Sequence, residues 1–361
     1  MQKINAVTIK SAIRNYQIQF GLQNFDIDFQ KPGHFYLIDK TVFKICNFEA
    51  NSSAQMILDA NENIKNISTV EKLIEKMADI GLSKDSTLVV IGGGVTQDIG
   101  TLAASLYMRG INWIFVPTTL QAMADSAIGG KSSINIREKK NLVGNFYPPT
   151  NIYIDVKFLK TLKDKDILCG IIEGIKILYA SGSNSFRECL DIAEKLTSQS
   201  QEVDWQTFIN MSLHAKKEII ENDEFDSNDR KKLNFGHTFG HIIESLTEYK
   251  LPHGIAVGLG MLASGHLVMD EENSDFNDLR TFLRNSLQPY TKEIQKLLGT
   301  IDFKQFQIRL SQDKKNTSSQ YCFVVPGSSG LKLHFLPRSS ESEALVFRAL
   351  SSALSEVRRQ S

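Results

Sequence analysis

The chain lacks any run of about 18 apolar residues, the length a membrane-crossing helix needs. Its first twenty residues, MQKINAVTIKSAIRNYQIQF, contain no continuous apolar segment, so no signal peptide is expected. Charge of one sign is also missing, since 41 Lys and Arg balance 41 Asp and Glu. That balance, with no basic stripe, speaks against a nucleic-acid partner and leaves local cations to be explained by local anions. Cysteines are few: Cys46, Cys169, Cys189 and Cys322 are scattered and form no CxxC pair. Neither a disulfide framework nor a thiolate zinc site fits that spacing, which suits a reducing cytoplasm. Internal repeats and low-complexity linkers are absent as well.

What is present is an ordinary enzyme composition, 42% hydrophobic and 23% charged over 361 residues, a length that suits two domains. Up to about residue 156, short apolar runs alternate with helical patterns. FYLID (35–39), QMIL (55–58), TLVVI (87–91) and WIFVP (113–117) read as strands, and 69–80 and TLAASLYMRG as helices. That alternation predicts a parallel sheet covered by helices. From 157 onward LCGIIEGIKILYA, WQTFINMSLHAKKEIIEN and NFGHTFGHIIESL repeat every three to four residues, which predicts a mainly helical half. YCFVVP and LKLHFLP suggest a late β-hairpin, and 311–320 a loop. A site is expected in the cleft between the two halves.

Three segments carry chemistry. In TLVVI-GGG-VTQDIG, Gly92, Gly93 and Gly94 stand between a buried strand and a helix. Backbone without Cβ can approach a pyrophosphate there, and a helix N-terminus favours the negative charge. The spacing is not GxGxxG, a tight turn reads the same way, and Asp98 in the first helical turn is equally a favourable dipole partner. Next, DSAIGGKSSINIREKKNLVGNFYPP sets Lys131, Lys139, Lys140 and Asn141 among small residues, a composition suited to cations and amides converging on one phosphate. Arg109, in YMRG, offers a bidentate clamp; for REKK alone, a solvated turn is the plain alternative.

The third segment, NFGHTFGHIIES, puts His237 and His241 four residues apart on one helix face, and His253 follows in PHG. With a carboxylate they would make a three-ligand zinc site with an open position. Glu173, in CGIIEGIKILYA, is the best carboxylate, because an acid in apolar surroundings needs a cation. A buried ion pair with Lys176, one turn later, satisfies it too.

Taken in order, GGGVTQDIG, YMRG, VPTTL, DSAIGGKSSIN, KKNLVGNFYPP, the Glu-x-x-Lys of IIEGIK, and LNFGHTFGHIIE with PHG resemble the 3-dehydroquinate synthase family over about residues 60–316. The resemblance implies a Rossmann-like α/β nucleotide-binding domain (1–156) and a mainly α-helical metal- and substrate-binding domain (157–361). NAD and a divalent metal, zinc or cobalt, are implied cofactors. Gly92, Gly93, Gly94, Asp98, Thr118, Thr119, Lys140 and Thr161 match the NAD set, and Asp39, Glu62 and Lys65 the adenosine end. Glu173, His237 and His253 match the metal ligands, which turns His241 toward the substrate phosphate instead. Lys131, Asn141, His241 and one of Lys314 or Lys315 match the phosphate set, and Arg109 reaches that set from the other subunit of a homodimer.

Lys216, Arg230 and Asn234 match the residues that hold the substrate carboxylate, and Lys176 and Asp125 the catalytic centre, with Asp125 also beside the cofactor. The implied reaction converts 3-deoxy-D-arabino-heptulosonate 7-phosphate, a phosphorylated sugar acid, to 3-dehydroquinate and phosphate in the shikimate pathway. Three departures point to a divergent branch: Ile255 where an acid is common after HG, IIEGIKILYA where AEVIKYG is usual, and Thr41 where asparagine is frequent. The alternatives are a cyclase for sedoheptulose 7-phosphate or glucose 6-phosphate and a metal-dependent polyol dehydrogenase. Arg230 with Lys216 separates these from the sugar-acid reading, although both stand in charged helical stretches that also suit a solvated face.

Overall fold

A computed structural model describes residues 6–22, 27–49, 53–137, 139–182, 184–197, 199–268, 273–299, 301–313 and 315–358. The chain divides into two compact units, 1–163 with 198–225, and 164–197 with 226–361. The first boundary thus lies at 163/164 rather than at 156/157, and one helix of the second half rejoins the first unit.

The first unit contains β1 (Val7–Ile9), β2 (Tyr16–Phe20), β3 (His34–Asp39), α1 (Lys40–Ile45), β4 (Gln55–Leu58), α2 (Ile67–Asp79), β5 (Thr87–Gly92), α3 (Gly94–Leu106), β6 (Asn112–Pro117), β7 (Lys131–Ile136), β8 (Lys139–Phe146) and β9 (Asn151–Ile154). Among the described residues a seven-stranded sheet runs β1-β2-β9-β6-β5-β3-β4, parallel except for the β1–β2 pair. β5 is apolar and buried through Leu88–Ile91, as a strand covered on both faces must be. The expected strands and helices of this half are present, except that the helix expected through Gly110 ends at Leu106 and gives way to a turn. β7 and β8 were not expected: the polar GGK…KKN block folds as an antiparallel hairpin.

The second unit opens with α4 (Asp164–Ser181) and α5 (Phe186–Ala193). The chain then returns to the first unit as α6 (Glu202–Asn222) before continuing as α7 (His237–Leu246), α8 (His253–His266), α9 (Ser274–Leu287), α10 (Thr291–Leu298) and α11 (Phe303–Ser311). The expected hairpin follows as β10 (Gln320–Gly327) and β11 (Gly330–Pro337), and α12 (Ser340–Arg358) ends the unit. α8 is buried from Gly254 to Gly265 and packs against α4, α7, α9, α12 and β10, so it is the core of this unit. Among the described residues no helix is long and apolar enough to cross a membrane.

α6 belongs with the first unit for a local reason. Its Ser212 hydroxyl donates to the Ala124 carbonyl at 2.8 Å. Lys216 Nζ donates to Asp125 O (2.6 Å), Asp125 Oδ1 (2.7 Å) and Ile128 O (3.1 Å). Together they staple α6 onto the π-helical turn Ala122–Ser126.

Candidate active site

In the first unit, β3 pairs β4 on one side and β5 on the other, so the strand order reverses beside β3. Ligands of open α/β sheets bind at such a switch point, beyond the carboxyl ends of the strands. Those ends carry Asp39 and Gly92, each one residue beyond the paired Ile38 and Ile91. A Cβ on Gly92 would lie 2.6 Å from Thr96 Oγ1, so glycine is required for α3 to start this close to β5. Thr118 is buried with its amide on the Gly92 carbonyl (3.0 Å), and Thr119 lies against Gly93. The Asp39 carboxylate caps α1 through Thr41 and Val42 using only Oδ1. Thr161 binds its own turn at the Phe158 carbonyl, 2.6 Å away.

Around this turn lies a polar cluster whose charges are largely paired internally. Lys65, buried, meets Asp98 Oδ2 at 2.5 Å and Asn141 Oδ1 at 2.8 Å. Asp98 Oδ1 also accepts the Ser133 amide at 2.8 Å. Burial pushes the Asp98 carboxyl up, opposed by the Lys65 ammonium. Asn141 is left-handed (φ 51°) and its amide donates to Asn135 Oδ1, while Glu62 takes Asn135 Nδ2 at 2.8 Å and faces Lys140 at 3.6 Å. In the hairpin register Lys131 pairs with Phe146 and Lys139 with Ile136, so these two lysines start from opposite ends of the hairpin.

YMRG forms a strained turn after α3. Met108 (φ 47°) and Arg109 (φ 60°) are both left-handed, and Lys84 Nζ holds it by donating to the Met108 carbonyl (2.9 Å) and the Gly110 carbonyl. Arg109 is exposed at its tip. No sequence pattern singled out Lys84.

The second unit gathers the histidines. α4 is apolar on almost every side, so Glu173 (0% exposed) and Lys176 (2% exposed) are enclosed. Gly254 lets α8 reach α4, because a Cβ there would run into the Cys169 backbone; Gly260 likewise abuts the Gly236 carbonyl before α7. These approaches bring Glu173 on α4, His237 at the start of α7 and His253 at the start of α8 together, with ligand atoms all within 4.8 Å of one another.

The Glu173 carboxylate divides its two oxygens. Oε2 meets Lys176 Nζ at 2.5 Å; Oε1, buried and without a hydrogen bond, lies 3.2 Å from His253 Nε2 and 3.9 Å from His237 Nε2. Ligand atoms about 2.0–2.2 Å from one tetrahedral zinc would stand about 3.3 Å apart, so the set fits a divalent ion and leaves a position open. The ion pair expected with Lys176 is thus made by Oε2, and Oε1 is left facing the histidines.

Without an ion, burial would raise the Glu173 carboxyl, but Lys176 and His253 outweigh it and hold it at about 2. For His253, burial would lower the imidazolium, yet Glu244 and Glu173 push it up to about 10. Burial, then Lys176, keeps His237 neutral, the form that ligates; burial, then Lys315, does the same for His241. Lys315 Nζ pairs with Asp313 at 2.9 Å, and Lys314 lies outside the described residues. Arg230 is buried, and Asn234 Nδ2 donates to the Lys231 carbonyl at 3.1 Å. Ile255 is fully buried, so the apolar residue there fills core. Glu244 was not among the expected residues; its signal was its place in HTFGHIIES, two helical turns after His237.

The models of the 3-dehydroquinate synthase N-terminal and C-terminal domains match residues 55–169 and 170–316. The chain belongs to the 3-dehydroquinate synthase family. The 3-dehydroquinate synthase of Campylobacter jejuni subsp. jejuni serotype O:6 (strain 81116 / NCTC 11828) is 36% identical over 274 residues, 74% of this chain and 77% of its own length. That of Thermoanaerobacter sp. (strain X514) is 33% identical over 352 residues, 90% of this chain and 94% of its own. The fold is also that of 2-deoxy-scyllo-inosose synthase, solved with carbaglucose-6-phosphate, NAD+ and Co2+: TM-score 0.80 at 22% identity, over 96% of this chain and 99% of that one.

Proposed function

We propose that the chain is a 3-dehydroquinate synthase that converts 3-deoxy-D-arabino-heptulosonate 7-phosphate to 3-dehydroquinate and phosphate. The observation that carries the proposal is Glu173, whose buried Oε1 has no hydrogen bond and faces two histidines, in a chain with family relatives of that name. Glu173, His237 and His253 hold the metal, zinc or cobalt. Gly92–Gly94, Asp98, Thr118, Thr119, Lys140 and Thr161, with Asp39, Glu62 and Lys65, hold NAD. When bound, NAD supplies a hydride acceptor that later returns the hydride, and the metal polarises the reacting oxygen as a Lewis acid.

The chain's own groups do the rest. Lys176 keeps Glu173 ionised and so ready as a ligand. His241, kept neutral first by burial and then by Lys315, stands with Lys315 on the phosphate side of the second unit's site. Lys131 and Asn141 complete the phosphate set, and Asp125 and Lys176 serve the catalytic centre. Arg230, Lys216 and Asn234 take the substrate carboxylate. Arg109 acts in the neighbouring subunit of a homodimer, a role supported by the clamped turn that leaves it exposed. We place the enzyme in the shikimate pathway and the cytoplasm; the unpaired state of all four cysteines supports a reducing compartment.

One observation favours a second reading, a cyclase for a neutral sugar phosphate. Lys216, half of the carboxylate clamp, already donates to three oxygens of its own unit. The test is to supply NAD and zinc and follow phosphate release from three substrates. Release from the heptulosonate phosphate without net NADH is expected. Release only from sedoheptulose 7-phosphate or glucose 6-phosphate overturns the first reading, and net NADH formation makes the chain a polyol dehydrogenase.

A further inference from the structure

His253 belongs to two clusters at once. Its Nε2 lies 3.2 Å from Glu173 Oε1, and its Nδ1 lies 3.2 Å from Glu244 Oε2. Both Glu173–His237–His253 and His241–Glu244–His253 have the spacing of a metal-ligand group. A neutral imidazole carries one N–H and one lone pair, so it can serve one cluster as a ligand and the other only as a donor. The partners decide which. On the Nε2 side stands the buried Glu173 oxygen that has no hydrogen bond. Lys176 neutralises the other oxygen of that carboxylate, and the His237 ring lies 5.2 Å from that of His253. On the Nδ1 side Glu244 Oε2 stands 3.2 Å away, in a carboxylate almost as deeply buried and placed to accept an Nδ1 proton.

We infer that Glu244 is a positioning residue for the metal: it takes the Nδ1 proton of His253 and so fixes the tautomer whose Nε2 lone pair faces Glu173 and His237. The inference rests on the metal reading proposed above. The helix explains the placement. Seven residues are two turns, so α7 carries the ligand His237 at its start and Glu244 on the same face further along, with His253 of α8 between them. A carboxylate behind a ligating histidine fixes ring orientation and raises its basicity, and losing it typically costs about 10- to 100-fold in metal affinity.

The test is equilibrium zinc affinity of the full chain, measured by competition with a chromogenic chelator. The proteins are wild type, Glu244→Ala, Glu244→Gln and Glu173→Ala, each with a thermal melt of its metal-free form. About a 10- to 100-fold loss is expected for Glu244→Ala. A smaller loss in the same direction is expected for Glu244→Gln, which keeps the shape; that variant decides if alanine prevents folding. Zinc affinity within twofold of wild type in the folded variants overturns the inference, and a lowered melting temperature alone would mark Glu244 as merely structural. Glu173→Ala separates the two claims. If it binds zinc as tightly as wild type while Glu244→Ala does not, the metal sits in the other cluster and the inference fails. If wild type itself binds no zinc, the metal reading fails and takes the inference with it.

Discussion

The two units treat their buried charges in opposite ways. In the first, Lys65 has Asp98 and Asn141, and Lys216 has Asp125 and two carbonyls, so each buried cation is already answered by protein oxygens. In the second, Lys176 answers only one oxygen of Glu173, and the other faces the rings of His237 and His253. A buried polar atom without a partner is costly, so the second unit gains most from a bound cation. The nucleotide half is finished as it folds, whereas the metal half is finished by its metal.

The comparison breaks most sharply at Glu173. Glu173→Ala should abolish metal binding and lower stability by about 3–5 kcal/mol, because Lys176 is left buried without its carboxylate. Metal analysis and chemical denaturation check this, and a variant of wild-type stability would contradict it. Next in size is zinc itself. At a free concentration about 100 times Kd it should add about 2.7 kcal/mol to the unfolding free energy of the wild type and nothing to that of Glu173→Ala. Lys65→Met in the first unit should cost about 1–3 kcal/mol, the same with or without zinc. A zinc-dependent loss there would erase the distinction between the halves.

Glu356 sharpens the comparison from inside the second unit, being a carboxylate that is fully paired. Burial would raise its carboxyl, but His266 at 2.9 Å and the two bonds from Arg280 outweigh it and hold it at about 2. A lowered folded pKa gives stability that is complete above the ordinary value and is lost as pH falls through the folded one. Glu356→Gln should therefore cost about 1–2 kcal/mol at neutral pH, discounted for the part-exposed arginines, with the gap closing between about pH 4.5 and 2. A gap that is unchanged at pH 2.5 would contradict it. The smallest effect belongs to Lys84→Ala, which frees the YMRG turn. It should raise KM for the phosphorylated substrate about 3- to 10-fold, the worth of about one hydrogen bond, with little change in kcat.

The sequence made some of this legible and hid the rest for physical reasons. The β5–glycine–α3 turn and the His237/His241 spacing are local features, carried by a buried apolar strand and a helical period. β7 and β8 escaped because KSSINI and KKNLVGNF are mostly polar, with too few apolar positions to sustain a two-residue alternation along either strand. The return of α6 to the first unit escaped because Ser212 and Lys216 find their partners 88 and 91 residues away. Glu244 looked like an ordinary helical acid, since only the packing of α7 on α8 turns it toward His253.

The central claim, that a metal completes the histidine–carboxylate cluster of the second unit, is tested most directly by titrating zinc into metal-free protein. The assay holds NAD and 3-deoxy-D-arabino-heptulosonate 7-phosphate and follows phosphate. The rate is expected to rise with zinc until one equivalent per chain is bound and then stay level, without NADH accumulating. A rate that does not depend on zinc, or NADH appearing in step with phosphate, would contradict it.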